Sequence, residues 1–592
     1  MSSAAPRPPL APWLTAPLAA ALIVLAALAA YAGSFAGQFV FDDSASIADN
    51  PSIRQLWPPG AALAPPDGPG VGGRPLLNLS YAVNYALGGT EVGGYHAVNL
   101  LIHVLAGLAL FGIVRRTLAG RGGPPATEVA LAIALLWTLH PLQTASVTYL
   151  SQRAESLAGL MYLTTLYAFI RGAATTGARA RAGWFAGAAL ACLCGMATKE
   201  TMVTAPVIIL LYDRTFVAGS FPEAWRRRGR VHLTLAATWL LLGGLVATSR
   251  PQLRGMGFGT GVSWWAYALT ECEVVLRYLG LAFWPHPLVL DYDLPTFARL
   301  GPAAPWLAAA LGLLAGTAVL VWRRPVLGFL GCWFFILLAP SSSVVPVSGQ
   351  AMAENRVYLP LAAVAALATL SLWAWAGRRS WFLLVPAFAV LGGLTAQRNA
   401  DYRSELGLWA TTAAQRPDNP RARYQWARAL MQAGRGPEAI AQFEAAVRLN
   451  PDFPEAWDGL GFALAGAGRL PEAIAAYGRA IQAKPDYPEA EFNLGNALAQ
   501  AGRAPEAAAH YERALRLQPD FPAAEENLGS ALLSTGDAAG AAGHYRAALR
   551  QRPGDADTHY DLALALRALG REAEAQAEFA AAARLGPGPA HP

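Results

Sequence analysis

The stretch 454-PEAWDGLGFALAGAGRLPEAIAAYGRAIQAKPDY-487 decides the fold of the last third of the chain. It holds a large apolar residue, Trp457, then Leu460-Gly461, then Ala473, Tyr477, Ala480 and Pro485. The same pattern returns at a fixed spacing: Pro417, Pro451, Pro485, Pro519, Pro553 and Pro587 lie 34 residues apart without a slip. Leu494-Gly495 with Ala507, Tyr511 and Ala514, and Leu528-Gly529 with Ala541, Tyr545 and Ala548, repeat the offsets. Phe443 between Ala439 and Ala446, and Phe579 between Ala575 and Ala582, open and close the series. Each unit reads as a pair of antiparallel helices. The small residue lets them approach, the aromatic fills the gap, and the proline stops the second helix.

This is the tetratricopeptide-repeat signature. It predicts five repeats, at 420–453, 454–487, 488–521, 522–555 and 556–589. Each pair buries its apolar face only against its neighbours, so the array is a superhelix with a concave groove suited to a peptide or protein. Asn493 and Asn527 recur one repeat apart on the first helix. Their amides are candidates for bonding an extended peptide backbone, against the plainer reading that Asn is common at this motif position.

Upstream the composition changes. The chain of 592 residues is 54% hydrophobic and only 14% charged, where a soluble domain carries about 25%. The charge deficit lies before residue 400. A helix needs ~20 apolar residues to cross a bilayer. Segments near 13–33, 95–118, 127–141, 155–171, 183–198, 199–213, 231–249, 303–322, 325–340, 357–376 and 380–397 fit, giving about eleven spans. The expected class is all-α: a multi-pass domain over 1–400, a linker helix over 401–419 and the repeats over 420–589.

Arginines orient the spans, because cytoplasmic loops carry the excess of Lys and Arg. Arg115, Arg116 and Arg121, then Arg171, Arg179 and Arg181, then Arg214, Arg226, Arg227, Arg228 and Arg230, then Arg323 and Arg324, then Arg378 and Arg379 follow the even-numbered spans. The N-terminus is therefore cytoplasmic and an odd total puts the repeats outside; in a bacterial inner membrane, that is the periplasm. Residues 264–284 are apolar enough to cross but carry Glu271, Glu273 and Arg277, and read instead as an interfacial or re-entrant helix. The first span reads as a retained anchor rather than a cleaved signal peptide. The net charge of +6 sits in these short arginine groups, not in a basic stripe interleaved with aromatics, so nucleic acid is not an expected partner. Four cysteines in or beside apolar segments suggest neither a disulfide framework nor a zinc site.

Chemistry is expected on the outer side. Asp42 and Asp43 directly follow the first span, where a carboxylate meets a membrane-borne substrate; adjacent acids also raise one another's pKa. His140 ends the third span, and Arg153 with Glu155 starts the fourth. Lys199 and Glu200 turn between the fifth and sixth, and Arg356 enters the tenth. Arginine at a membrane surface suits a phosphate, while each of these sets also reads as a helix cap or a self-neutralising pair. A divalent metal on Asp42, Asp43, Asp291 and Asp293 is conceivable, but no ligand spacing demands one. No Walker loop, dinucleotide fingerprint or nucleophile elbow is present.

In order, Phe41-Asp42-Asp43 with Asn50-Pro51, Arg74-Pro75-Leu76, Gly94-Tyr95-His96-x-x-Asn99, His140-Pro141, Arg153-Ala154-Glu155, Lys199-Glu200, Asp291-Tyr292-Asp293 and Glu354-Asn355-Arg356-x-Tyr358-Leu359-Pro360 resemble the transmembrane and tetratricopeptide-repeat (TMTC-type) protein O-mannosyltransferases and their bacterial homologues. The resemblance covers nearly the whole chain. It implies a GT-C glycosyltransferase fold, a polyprenyl-phosphate sugar as donor and a Ser or Thr hydroxyl of an exported protein as acceptor. It also implies an inverting mechanism in which Asp42 or Asp43 is the base, with His140, Arg153, Glu155, Lys199, Glu200 and Arg356 near donor phosphate or sugar. Transfer to a surface glycan or lipid, and a scaffold without turnover, stay open beside it.

Overall fold

A computed structural model describes residues 14–66, 70–119, 125–249, 263–342 and 350–586. Arg121, Pro587 and the first residue of the expected first span lie outside the described residues. The chain divides into two compact units, Met1–Gln415 and Arg416–Pro592. The division falls inside the stretch read as a linker helix. Among the described residues both units are helical, without strands.

In the first unit the helices of eight residues or more are α1 Ala16–Tyr31, α2 Pro75–Gly88, α3 Val92–Ala119, α4 Ala126–Thr138, α5 Arg153–Ala174, α6 Ala178–Met196, α7 Ala205–Tyr212, α8 Phe221–Ala237, α9 Trp239–Thr248, α10 Trp264–Phe283, α11 Leu300–Arg323, α12 Pro325–Leu338, α13 Leu361–Ala376, α14 Trp381–Asp401 and α15 Glu405–Gln415. Among the described residues seven segments are long and apolar enough to cross a membrane, or eight if α4 and Pro141–Val147, bent by 56°, count as one broken span. One of the seven, Leu361–Asp401, contains two helices. Gly377 takes φ +54 between them, and the Ser380 hydroxyl donates to the Leu372 carbonyl eight residues back. Such a bond needs a reversal of the chain, so α13 and α14 form a hairpin. The other expected spans are α6, which starts with Arg179 and Arg181, and the short α12.

Helix α10 does not behave as a crossing. The Tyr267 hydroxyl near its start donates to Ser341 beyond α12; Tyr278 exchanges bonds with Ala353; Ala282 at its end meets His140 after α4. All three partners lie on the face that the arginines assign to the outside. Trp264, Trp265, Phe283 and Trp284 stay exposed at its two ends, as aromatics do at a membrane interface.

The second unit stacks ten helices: α16 Pro420–Gln432, α17 Gly436–Leu449, α18 Pro454–Gly466, α19 Leu470–Ala483, α20 Pro488–Gln500, α21 Ala504–Leu517, α22 Pro522–Ser534, α23 Ala538–Gln551, α24 Ala556–Ala568 and α25 Glu572–Leu585. Proline opens four of the five first helices, where its missing N–H costs nothing. Glycines at 434, 468, 502, 536 and 570, with φ between +72 and +92, make the left-handed turns into the second helices. A Cβ on Gly461, Gly495 or Gly529 would stand 2.6–2.8 Å from the ring of Tyr477, Tyr511 or Tyr545. Where Trp457 sits in the second repeat, the third and fourth carry Glu491 and Glu525, bonded at 2.6 Å to His510 and His544. The fifth reverses the pair as His559–Glu578, and the first has Arg423 on Gln442 at 2.8 Å. Complementary partners thus replace an apolar contact between the helices of one repeat.

Glycine inside a helix normally costs about 1 kcal/mol against alanine. Gly478, with open space around it, obeys that rule, so G478A is expected to raise the Tm of the repeat unit. G495A is expected to lower it, because overpacking against Tyr511, which costs about 1–3 kcal/mol, outweighs the helical gain. Thermal unfolding followed by circular dichroism on residues 416–592 checks both signs.

Candidate functional site

The site grows from the loop after α1. Val40 is buried and Phe41 takes φ +50, a conformation that strains a bulky residue by roughly 1–3 kcal/mol. This kink turns the two carboxylates in different directions. Asp43 is fully buried; one of its oxygens accepts the Val40 N–H at 3.1 Å and the other the Ser151 N–H at 2.6 Å. It therefore staples the loop to the start of α5. Burial pushes its carboxyl up to about 7; the two backbone bonds resist and Asp42 adds to the rise. The fold thus favours the protonated form. The stability this contributes is full at low pH and fades as pH rises through about 7.

Asp42 remains half-buried, and its backbone N–H donates to the Tyr149 hydroxyl at 3.1 Å. Burial raises its carboxyl above the ordinary value, offset by Tyr149. It is the carboxylate of the pair not committed to backbone amides.

Most of the other predicted residues are already engaged with partners inside the fold. Arg153 is fully buried: its guanidinium donates to the Asn99 side chain at 2.6 Å, to Ser80 and to the Tyr95 carbonyl at 3.2 Å, 4.6 Å above the Tyr81 ring. This ties α5 to α2 and α3. Lys199 pairs with Glu155 rather than with its neighbour, and Glu200 pairs with Arg74 at 3.2 Å. Two ion pairs thereby pin the loop before α2 and the start of α5 to the turn after α6. His140 accepts the Leu142 N–H at Nδ1, so Nε2 carries the proton and donates to Ala282 at 3.1 Å. Both nitrogens are used in seating the end of α10. Arg356 donates to Ala351 and Gln350 and lies 3.8 Å from Glu271, which curls the 350–356 segment against α10. Asp291 accepts the Asp293 N–H at 3.0 Å. Among the described residues no three His, Cys, Asp or Glu side chains converge as metal ligands do. Asn493 and Asn527 spend their amide N–H groups across the repeat boundary, on Asp458 at 2.9 Å and on Asn496 at 2.7 Å.

Sequence reasoning passed over Arg398 and Trp409, and named Asn355 only as part of the Glu354–Pro360 motif. Arg398, near the end of α14, pairs with Glu354 at 3.3 Å and Asp401 at 2.9 Å, and Tyr292 also donates to Glu354. Asn355 donates to Gln152 at 2.8 Å. Trp409 on α15 meets Phe41 edge to face at 5.5 Å. The signal for Arg398 was in view, since it is a charged residue at the end of an apolar run.

Tetratricopeptide-repeat family profiles match residues 390–452, 424–488, 460–522 and 492–556, and a second matches 532–591. Human protein O-mannosyl-transferase TMTC2 is 30% identical over 234 residues, 37% of this chain and 27% of that protein. Human TMTC1 is 25% identical over 496 residues, covering 73% of this chain and 55% of the relative; Drosophila melanogaster Tmtc3 is 25% identical over 72% and 54%. The TMTC proteins are its homologues. The chain spans about half the length of TMTC1 and Tmtc3 and about a quarter of TMTC2. Among solved structures, the tetratricopeptide-repeat protein YrrB overlaps 30% of this chain and 92% of its own, at 20% identity and a TM-score of 0.28.

If Arg153 acts by joining α2, α3 and α5, R153K loses its forked bonds and destabilises the protein by roughly 2–3 kcal/mol. A fall in Tm in detergent checks this. A role confined to phosphate binding would leave Tm unchanged and raise only the KM for donor.

Proposed function

We propose that the chain is a membrane glycosyltransferase that moves a sugar, mannose or another hexose, from a polyprenyl-phosphate to Ser or Thr hydroxyls of proteins on the outer side of the membrane. The observation that carries this reading is the division of labour between the two acids. Asp43 is fixed by backbone amides, which leaves Asp42 beside it as a positioned, half-open carboxylate with a raised pKa. Such a group is a general base for an acceptor hydroxyl. Asp42 takes the hydroxyl proton, the oxygen attacks the anomeric carbon on the face opposite the lipid phosphate, and the sugar–phosphate bond breaks with inversion. The lipid phosphate leaves with the electron pair.

A cavity supports a lipid-borne donor. It encloses about 570 Å³ between α4, α13 and α14, and its walls include Leu136, Leu361, Val364, Val390 and Leu394. At its outer end stand His140, Trp284 and His286. Leu394 is one helical turn from Arg398, whose partner Glu354 belongs to the outer face. An apolar slot at bilayer depth beneath polar groups suits an isoprenoid chain better than a soluble nucleotide sugar. The homologues are named protein O-mannosyl-transferases, and the repeats supply a surface for acceptor or partner that raises its local concentration.

The test is transfer from mannosyl-phosphoryl-polyprenol to a Ser/Thr peptide by protein in lipid nanodiscs. D42N is expected to lower kcat by about 10²–10⁴-fold with Tm unchanged, whereas D43N lowers Tm and activity together. A base works deprotonated, so rate is full at high pH and lost as pH falls. The acid limb should therefore lie above the ordinary aspartate value of 3.8. Full activity in D42N would dismiss the assignment; no transfer by wild type with this donor and acceptor would turn attention to surface glycans.

A further inference from the structure

The 34-residue register of the repeats does not begin at Pro420. Counting back from Phe579, Tyr545, Tyr511, Tyr477 and Phe443 reaches Trp409, and the proline series counts back to Pro417. Helix α15 is therefore the second helix of a further repeat, carrying its aromatic and its terminating proline. The first helix of that repeat would be the end of the last span. Yet the ring does not sit as its counterparts do. In the second, third and fourth repeats the glycine sixteen residues before the aromatic, Gly461, Gly495 or Gly529, receives the tyrosine ring, while the first and fifth carry Ala427 and Ala563 there. The residue in that register for Trp409 is Gly393, and no neighbouring atom lies within 4 Å of where its Cβ would stand.

The indole goes elsewhere. Trp409, 3% exposed, packs edge to face on Phe41 at 5.5 Å. Leu408 and Tyr402 share one buried cluster with Val40 and Tyr149, against which Phe41 and Leu290 also pack. The Leu290 N–H donates to the Thr412 hydroxyl at 3.4 Å. Tyr149 is the residue whose hydroxyl holds the Asp42 N–H. The half repeat thus touches the acid loop on both sides of its kink. Phe41 keeps a left-handed backbone conformation that a free loop would relax. The Trp409 indole N–H has no hydrogen-bond partner, so the contact is one of shape and ring against ring.

We propose that α15 is a half repeat turned into a clamp on the Asp42 loop, with Trp409 its positioning residue acting through Phe41. The consequence for catalysis rests on the transferase reading above, while the clamp itself does not. Its test uses the full-length protein in nanodiscs, with hydrogen exchange of residues 39–44 measured beside transfer kinetics. In W409L, exchange over 39–44 is expected to quicken about tenfold as the loop opens locally. The kcat falls about tenfold while the KM for acceptor peptide stays within about twofold, because misplacing a base slows the chemical step. W409F, which keeps an aromatic ring to set against Phe41 and gives up one ring of the indole with its unused N–H, restores most of both. F41L, which removes the same contact from the loop side, reproduces the W409L pair of changes and serves if W409L does not fold. Unchanged exchange in W409L or F41L, or failure of W409F to restore it, overturns the clamp. If the wild type transfers no sugar, the transferase reading fails, and the exchange measurements still decide the clamp.

Discussion

The outer face of the membrane unit depends on one side chain making two backbone bonds. Asp43 reaches Val40 on one side and Ser151 on the other, so the first loop and the start of α5 are built as one piece. Burying a carboxyl costs free energy unless its oxygens are satisfied. Here two amide donors satisfy them, and the residual penalty appears as a pKa pushed up to about 7. With Asp43 held in place by backbone amides, Asp42 beside the kink at Phe41 stays half-buried. The two acids are thus not equivalent: Asp43 is a brace, and Asp42 is not committed to backbone amides.

The cations around this brace follow the same economy. A phosphate site would need an uncommitted positive group, but most arginines here close bonds inside the fold. Arg153 spends its fork on Asn99, Ser80 and Tyr95; Arg356 curls its own loop; Arg398 is shared by Glu354 and Asp401. Removing one partner of such a group leaves a buried charge, so these residues specify the shape of the face before they specify a ligand. Among the predicted cations, Lys199, set with Arg74 between Glu155 and Glu200, keeps partial exposure at a surface. That is the geometry in which a phosphate can compete for a charge already paired.

What was legible in the sequence follows from the range of the interactions. The repeat pattern was readable, because a 34-residue period is local and Gly461, Gly495 and Gly529 each face an aromatic sixteen residues away. Apolar runs were readable, and Glu271, Glu273 and Arg277 set α10 apart from them as an expected interfacial or re-entrant helix. The hairpin at Gly377 was also placed. Partners were not readable. Nothing in the order of residues says that Lys199 takes Glu155, forty-four positions away, rather than adjacent Glu200, or that Asp43 and not Asp42 takes the Ser151 amide. These choices are made by packing over long separations. Asn493 and Asn527 illustrate the same limit: their recurrence was visible, but their engagement with Asp458 and Asn496 across the stack was not.

Trp409 shows how a strong local pattern conceals a distant contact. Its register marks it as one more repeat aromatic, and the family profile itself starts at residue 390. Its ring nevertheless does not sit at Gly393, where no neighbouring atom lies within 4 Å of the place a Cβ would take. A repeat unit is stable only when each apolar face finds a partner. The first half repeat therefore needs a substitute, and the kinked loop at Phe41 supplies the ring that Trp409 lacks. The same contact satisfies two demands: it covers the end of the repeat register and holds a strained loop that would otherwise relax. An element that meets both needs is hard to replace by drift in either partner alone, so the segment after the last span belongs physically with the carboxylates rather than with the linker its composition suggests.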